Sequence, residues 1–315
     1  MITDDFIENP PFPTFTQFET STTCNAKCLM CPHKKMKRRG TAKWSTISKV
    51  IREAAPKSAG MCPFLMQEPM LEPRLHSILA NIKQNNPACS IVVYSNMAVL
   101  HPDFDRIIKN DLLDELHISF YGPTKKLYEK WQPPLNWEQT QSNIRKVKEL
   151  KQKHDKTKPV TYLHVITVPE LVNNFKEYTL VKEQVIDQAV LVAFDTFHGD
   201  IPDLAGDQTK YLGAPAERTP CMRLWTGLNI HFDGTVVPCC IDYNEMVKLG
   251  NVETQSIEEI WNSEPFRLMR LKHAQGKWNE IPLCRDCRVH EAQFSKEWRD
   301  YWRVKNELSC RNEKT

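Results

Sequence analysis

The sequence lacks three features that would assign the protein to a membrane, to secretion or to a polyanionic partner. No apolar run approaches the length of a membrane-spanning helix. The first residues are acidic and no apolar segment follows them, so we expect no secretory leader and a cytoplasmic protein. An excess of one charge is also lacking, because 42 basic residues stand against 39 acidic ones. This balance predicts neither a nucleic-acid partner nor a membrane surface.

Cysteine, in contrast, is plentiful. The chain of 315 residues contains 11 cysteines, and most of them fall into two groups. In an intracellular protein, clustered thiols indicate a metal site rather than disulfide bonds. Cys62, Cys89 and Cys310 have no partner at ligand spacing, so we interpret them as structural.

The first group is Cys24, Cys28 and Cys31, which bring three sulfurs together on one short loop. Zinc knuckles usually pair their ligands as CxxC and need a fourth ligand nearby. Iron–sulfur clusters are commonly held by four thiolates. Three thiolates therefore predict a polynuclear iron site in which one iron stays open to another ligand. The alternative is a set of three buried, apolar cysteines.

This CxxxCxxC pattern after a first strand resembles the signature of radical S-adenosylmethionine (SAM) enzymes. In that family the three cysteines bind a 4Fe-4S cluster, and the amino acid part of SAM chelates the fourth iron. The resemblance implies these roles for Cys24, Cys28 and Cys31, together with an electron donor such as flavodoxin or ferredoxin. Met30 departs from the family, where the equivalent residue is usually aromatic or large.

Strand and helix patterns alternate from Phe15 onward. Apolar runs near residues 15, 62, 91, 116, 161 and 190 predict six strands, and segments such as 171–184 have helical spacing. Alternation of this kind indicates parallel β/α units. We predict an α/β fold, a partial (β/α)6 barrel with a small C-terminal cysteine-rich iron–sulfur domain. The predicted divisions are an extended lead-in over 1–14, the barrel over 15–204, the auxiliary cluster domain over 205–290 and a helical tail over 291–315.

Ligands of such folds gather at the C-terminal ends of the strands. There the chain resembles radical SAM enzymes at three points, although both glycines of the Gly-Gly-Glu-Pro motif before Glu68 are replaced. The resemblance implies contacts to SAM by five residues. They are Glu68, Ser95, Asn96, Ser119 and Tyr121. The alternatives are a solvated carboxylate for Glu68 and a turn or cap for Ser95 and Asn96.

The second cysteine group begins after Pro220. An Asp233-Gly234 turn between alternating apolar residues predicts a β-hairpin over 228–238, which cysteines flank. Four thiolates can converge there and suit either zinc or an iron–sulfur cluster. The pattern resembles the twitch and SPASM domains of radical SAM enzymes. It implies a second 4Fe-4S cluster, so two in all, with the ligands Cys221, Cys239, Cys284 and Cys287.

Two further residues are Cys240, whose role has several interpretations, and His164, to which we assign no chemistry. Cys240 stands beside a predicted ligand and is a spare ligand, a small apolar residue or a hydrogen-atom donor in catalysis. Among these the apolar interpretation is favoured. His164 lies inside the fifth predicted strand, so we interpret it as a packed core histidine.

The resemblance implies an oxidoreductase that cleaves SAM to a deoxyadenosyl radical and abstracts a substrate hydrogen. Within the family the pattern is most similar to aminocyclitol dehydrogenases, which favours dehydrogenation or epimerisation of a small polyol or aminosugar. A peptide-modifying radical SAM enzyme is the first alternative. The second is a zinc-stabilised binding protein without catalysis.

Overall fold

The computed structural model describes residues 4–8, 10–212 and 218–288. Six sequential strands pair as parallel neighbours and are separated by helices. The strands are β1 (Phe15–Phe18), β2 (Gly60–Cys62), β3 (Ser90–Ser95), β4 (Glu115–Ser119), β5 (Val160–Ile166) and β6 (Gln188–Val192). This arrangement confirms the predicted partial barrel of β/α units.

The helices connect these strands and continue into the C-terminal part. They are α1 (Asp4–Glu8), α2 (Trp44–Ala54), α3 (Leu75–Asn85), α4 (Phe104–Lys109), α5 (Lys125–Trp131), α6 (Trp137–Lys153), α7 (Pro169–Val172), α8 (Thr179–Lys182), α9 (Thr209–Leu212), α10 (Arg223–Thr226), α11 (Ile257–Trp261), α12 (Glu264–Ala274) and α13 (Pro282–Arg285). Within the described ranges, none is long and apolar enough to cross a membrane.

The two faces of β4 show how the sheet divides helix-facing from cavity-facing residues. Leu116 and Ile118 are fully buried in the hydrophobic core. Glu115, His117 and Ser119 alternate with them and are only half-buried. Because successive side chains of a strand point to opposite faces, these three share the face that lines the barrel interior. The interior is therefore polar along this strand.

The predicted hairpin forms and also extends the barrel sheet. Its strands are β7 (Gly227–Ile230) and β8 (Thr235–Val237), and a short β9 (Gly250–Asn251) pairs with β8. Gly234 has a φ of +85° in the turn, a conformation that glycine adopts without strain. On its other side β7 pairs in parallel with β1, with Phe15 opposite Gly227. The C-terminal part is thus built directly onto the barrel, which local sequence did not predict.

Two predicted segments differ from the structure. The extended lead-in is wrong for Asp4–Glu8, which forms α1, because Ile7 packs into the core and its carbonyl accepts a 2.9 Å hydrogen bond from Trp225 Nε1. The predicted helix over 171–184 is broken into α7, a 3-10 turn and α8. Asn174 donates its side-chain amide to the Glu170 carbonyl at this break. Such local hydrogen bonds compete with a continuous helix.

The predicted helical tail over 291–315, with Cys310, lies outside the described residues.

A buried charge cluster joins the end of β1 to the hairpin. The Glu19 side chain is fully buried and forms an ion pair with Arg38, which also contacts Glu245 at 3.2 Å. The backbone N–H of Phe232 donates to Glu19 at 3.3 Å, and the Arg38 guanidinium lies 4.6 Å from the Phe232 ring centre. His231 lies 3.4 Å from the same carboxylate. The cluster therefore fixes the hairpin against the segment that leads to the cysteine loop.

Replacing Glu19 by alanine should destabilise the protein strongly. Loss of the carboxylate leaves the buried Arg38 charge with Glu245 as its one remaining acidic partner among the described residues, and breaking a buried ion pair in this way costs about 3 kcal/mol. Urea denaturation of the variant measures this loss. The matched control is Glu258→Ala, which removes the exposed Lys57–Glu258 pair and should cost less than about 1 kcal/mol. Equal losses in the two variants would contradict a structural role for the cluster.

Candidate active site

The cysteine loop that follows β1 is held by backbone hydrogen bonds to the segment at the end of α5. Lys27 N donates to the Pro133 carbonyl at 2.6 Å, and Leu29 N donates to the Trp131 carbonyl at 3.0 Å. These contacts fix the backbone on both sides of Cys28. The loop is therefore placed by the barrel and not by its own short sequence.

All three cysteines of this loop line one cavity of about 790 Å³ at the C-terminal ends of the strands. The volume lies within the usual range of small-molecule and cofactor sites. Every residue predicted to contact SAM lines the same cavity, namely Glu68, Ser95, Asn96, Ser119 and Tyr121. A lining that combines three thiols with carboxylate, hydroxyl and amide groups fits an iron–sulfur cluster and SAM in both chemistry and space.

Glu68 is the centre of a hydrogen-bond network at the ends of β2 and β3. Its carboxylate accepts from Ser95 Oγ at 2.7 Å, from Asn96 N at 2.8 Å and from Met70 N at 3.0 Å. Asn96 in turn donates its side-chain amide to Asn25 Oδ1 in the cysteine loop at 2.8 Å. Burial raises the pKa of Glu68, and the three donors oppose that shift. The alternative of a solvated carboxylate is wrong, because Glu68 is only 3% exposed.

Gln132 fixes the cavity wall that follows β4, and the sequence analysis does not identify it. Its side chain accepts from Tyr121 N at 2.7 Å and donates to the Ser119 carbonyl at 2.8 Å. It is fully buried and lines the cavity. Nothing in the sequence around Gln132 marks this role, since its partners lie far along the chain or are backbone atoms.

The three loop thiols hold their protons strongly in the absence of a metal. Burial raises the pKa of Cys24 to about 11, and it raises the pKa of Cys28 and Cys31 above the ordinary value as well. Thiolate ligands must lose their protons when they bind metal. Binding of a cluster at this loop would therefore release protons.

The second group of predicted ligands surrounds a separate small cavity, whose lining includes Cys221, Cys239, Cys284 and Cys287. A set of four thiols fits a 4Fe-4S cluster. The cavity holds only about 30 Å³, the space of one water molecule, so these side chains must move apart to admit a cluster. As they stand, no His, Cys, Asp or Glu side chains in the described ranges form a site for a single metal ion.

His273 orders this second group and was not predicted. Its Nδ1 accepts from Cys221 N at 3.2 Å, and its Nε2 lies 3.3 Å from Cys284 Sγ. Burial lowers the pKa of His273 to about 4, so the ring is neutral at neutral pH. One imidazole thus connects two of the four cysteines.

Cys240 lines the large cavity, whereas its neighbour Cys239 lines the small one. The Arg223 guanidinium donates to Cys240 Sγ at 3.0 Å and approaches Cys239 Sγ at 3.8 Å. A hydrogen bond with Cys239, together with Arg223, holds the pKa of the Cys240 thiol below its ordinary value. A purely apolar role does not account for this contact. Arg223, which the sequence did not single out, also lines the large cavity.

Comparison with protein families identifies two matching segments. The model of the radical SAM superfamily matches residues 18–178, just over half of the chain. The SPASM model, described as an iron-sulfur cluster-binding domain, matches residues 221–288. A 4Fe-4S cluster and SAM are therefore the cofactors of the first segment, and the second implies additional iron–sulfur binding.

One curated relative is the S-adenosyl-L-methionine-dependent 2-deoxy-scyllo-inosamine dehydrogenase of Niallia circulans, which is 31% identical over 68 residues. This match spans 22% of the chain and 27% of the relative, so it covers about a quarter of that protein.

Solved structures share the fold over much greater lengths. BtrN in complex with AdoMet and 2-DOIA has a TM-score of 0.63 at 14% identity, covering 92% of this chain and 98% of BtrN. SuiB of Streptococcus suis bound to its precursor peptide SuiA has a TM-score of 0.66 at 11% identity, covering 84% of this chain and 68% of SuiB. At these identities the likeness concerns the fold alone.

The family matches confirm the expected fold and cofactors, and they argue against a zinc-stabilised binding protein without catalysis. The chain belongs to the radical SAM superfamily and carries a C-terminal SPASM domain.

Proposed function

We propose that this radical SAM enzyme oxidises a small polyol or aminosugar by abstracting one of its carbon-bound hydrogen atoms. The observation that carries the proposal is the composition of the large cavity. It brings the three loop cysteines and the candidate SAM contacts together with Arg223, Cys240 and His164. Because SAM must share this cavity of about 790 Å³, the remaining space favours a compact substrate.

Each cysteine group has its own proposed role. Cys24, Cys28 and Cys31 would hold the first 4Fe-4S cluster, and a flavodoxin or ferredoxin would reduce it. The second cluster would take the ligands Cys221, Cys239, Cys284 and Cys287. When bound, the first cluster and SAM supply a radical that accepts the hydrogen atom, and the second cluster supplies a one-electron acceptor.

The protein side chains bind and orient the reactants. Glu68 presents a fixed carboxylate, held by Ser95 and Asn96, that suits the ammonium group of SAM. Ser119 and Tyr121, positioned by Gln132, line the wall proposed for the nucleoside. These contacts orient SAM beside the cysteine loop, since Asn96 also binds Asn25 of that loop.

Modification of a peptide is the second candidate function. β6 is the last strand at its end of the described sheet, and Leu191 of this strand is 40% exposed and lines the cavity. The free edge of a strand can pair with an extended peptide. SuiB, whose fold is similar, has been seen with a precursor peptide.

Formation of deoxyadenosine separates the two candidates. With reductant and SAM, we expect the anaerobically reconstituted enzyme to form more deoxyadenosine with 2-deoxy-scyllo-inosamine and related aminocyclitols than with a pool of peptides. The reverse result would move the enzyme to the peptide-modifying class. An epimer that carries deuterium from a deuterated solvent would support epimerisation, with Cys240 as the hydrogen donor.

Replacing Cys24 by alanine should abolish deoxyadenosine formation, because the first cluster loses one of its three thiolates. Iron content should fall by about four atoms per chain as that cluster is lost. The matched control is Cys89→Ala, since Cys89 is fully buried in the core and does not line the cavity. Normal turnover by the Cys24 variant would refute the ligand assignment.

Replacing Cys284 by alanine should uncouple the reaction. Deoxyadenosine should still form, because the first cysteine group is intact, whereas the oxidised product should be lost with its electron acceptor. The ratio of product to deoxyadenosine, measured by mass spectrometry, reports this effect. An unchanged ratio would count against a functional second cluster.

A further inference from the structure

A stack of polar aromatic rings crosses the barrel interior, where branched aliphatic side chains usually pack. Tyr94, His117 and Tyr162 lie opposite one another on β3, β4 and β5. The His117 ring stacks between the other two, with ring centres 4.5 Å from Tyr94 and 4.7 Å from Tyr162. This sandwich fixes the orientation of the His117 ring.

The fixed ring belongs to a hydrogen-bonded chain of three titratable side chains. His117 Nδ1 lies 2.6 Å from His164 Nε2, and His117 Nε2 lies 2.9 Å from Glu115 Oε2. One tautomer satisfies both contacts, with each ring protonated at Nε2 and each N–H donating toward Glu115. His164 Nδ1 is then the ring nitrogen left without a hydrogen bond in the described part of the chain.

The two ends of this chain lie in different surroundings. His164 lines the large cavity, so the expectation of a purely packed core histidine is wrong. Glu115 is the first residue of β4, at the edge opposite the strand ends that carry the site, and its side chain is 36% exposed. The three residues therefore connect the cavity to solvent through the sheet interior.

Burial keeps both rings neutral at neutral pH. It lowers the pKa of His164 to about 3, with a smaller contribution from His117, and it also lowers the pKa of His117. A neutral imidazole has one donor and one acceptor nitrogen. Because a buried imidazolium is unfavourable, a proton that enters this chain passes through it instead of remaining on a ring.

We propose that His164 accepts the hydroxyl proton of the substrate and that His117 and Glu115 carry it to solvent. The substrate O–H bond breaks and a new N–H bond forms at His164 Nδ1. The His164 Nε2 proton moves to His117 Nδ1, and the His117 Nε2 proton moves to Glu115. This inference rests on the proposed oxidation of a polyol or aminosugar.

The relay accounts for the proton that this oxidation releases. Conversion of an alcohol to a carbonyl releases a hydrogen atom from carbon, a proton from oxygen and one electron. When bound, SAM and an iron–sulfur cluster would supply acceptors for the hydrogen atom and the electron, and the relay takes the proton. Epimerisation releases no net proton, so the relay favours dehydrogenation at this site.

The test uses the reconstituted full-length enzyme and 2-deoxy-scyllo-inosamine deuterated at its ring carbons. In His164→Ala, deuterium should still enter deoxyadenosine, because hydrogen abstraction needs no base. The yield of oxidised product per deoxyadenosine should fall about 100-fold, a typical loss on removal of a general base. Added imidazole should restore much of that yield. Glu115→Gln, a substitution of similar size at the exposed end, should lower the same ratio.

The matched control is His101→Gln, which alters a buried histidine that is bonded to the Glu72 carbonyl and does not line the cavity. This variant should keep the wild-type ratio. Wild-type ratios in His164→Ala and Glu115→Gln would overturn the relay and leave the proposed oxidation standing. A loss in His164→Ala that imidazole does not restore would also overturn it. Failure of the wild-type enzyme to form deuterated deoxyadenosine would refute the proposed substrate class, and the relay with it.

Discussion

Parallel pairing of the strands is the constraint on which the site depends. When neighbouring strands run in one direction, their C-terminal ends meet at one edge of the sheet. The cysteine loop follows β1, Glu68 follows β2, Asn96 follows β3 and Tyr121 follows β4. Residues far apart in sequence therefore line one cavity. Side-chain hydrogen bonds then set the finer positions, as between Asn96 and Asn25.

The same sheet also places different functional groups at different positions along the strands. Acid, amide and hydroxyl groups lie at the C-terminal edge, and the imidazole rings of His117 and His164 each lie two residues before the end of their strand, β4 or β5. Cys239 and Cys240 lie between the large and the small cavity. Although they are consecutive, one lines the small cavity and the other lines the large one. Consecutive residues of the chain thus line the two cavities at this point.

Much of this arrangement could be predicted from local sequence signals. The spacing of Cys24, Cys28 and Cys31 marks a metal loop, apolar runs mark the strands, and the Asp233-Gly234 pair marks the hairpin. Each signal lies within a few residues, where backbone geometry relates sequence to structure directly. The breaks between α7 and α8 required the additional effect of side chains that bond the backbone.

Long-range partnerships could not be predicted in this way. The pairing of β7 with β1 depends on a strand edge that becomes available only in the folded barrel. Gln132 and Arg223 act through atoms distant in sequence, so neither carries a local pattern. His164 fits the alternation of buried and half-buried residues along β5, but this alternation identifies only a face of the strand. It does not tell whether that face meets a cavity or a core.

The position of β7 also has a consequence for biosynthesis. β1 is synthesised well before β7, its second neighbour in the sheet, which ends at Ile230. Contacts between residues so far apart in sequence form slowly, because a long loop must close first. The hydrogen bonds of β1 on this side can therefore form only after β7 has been synthesised.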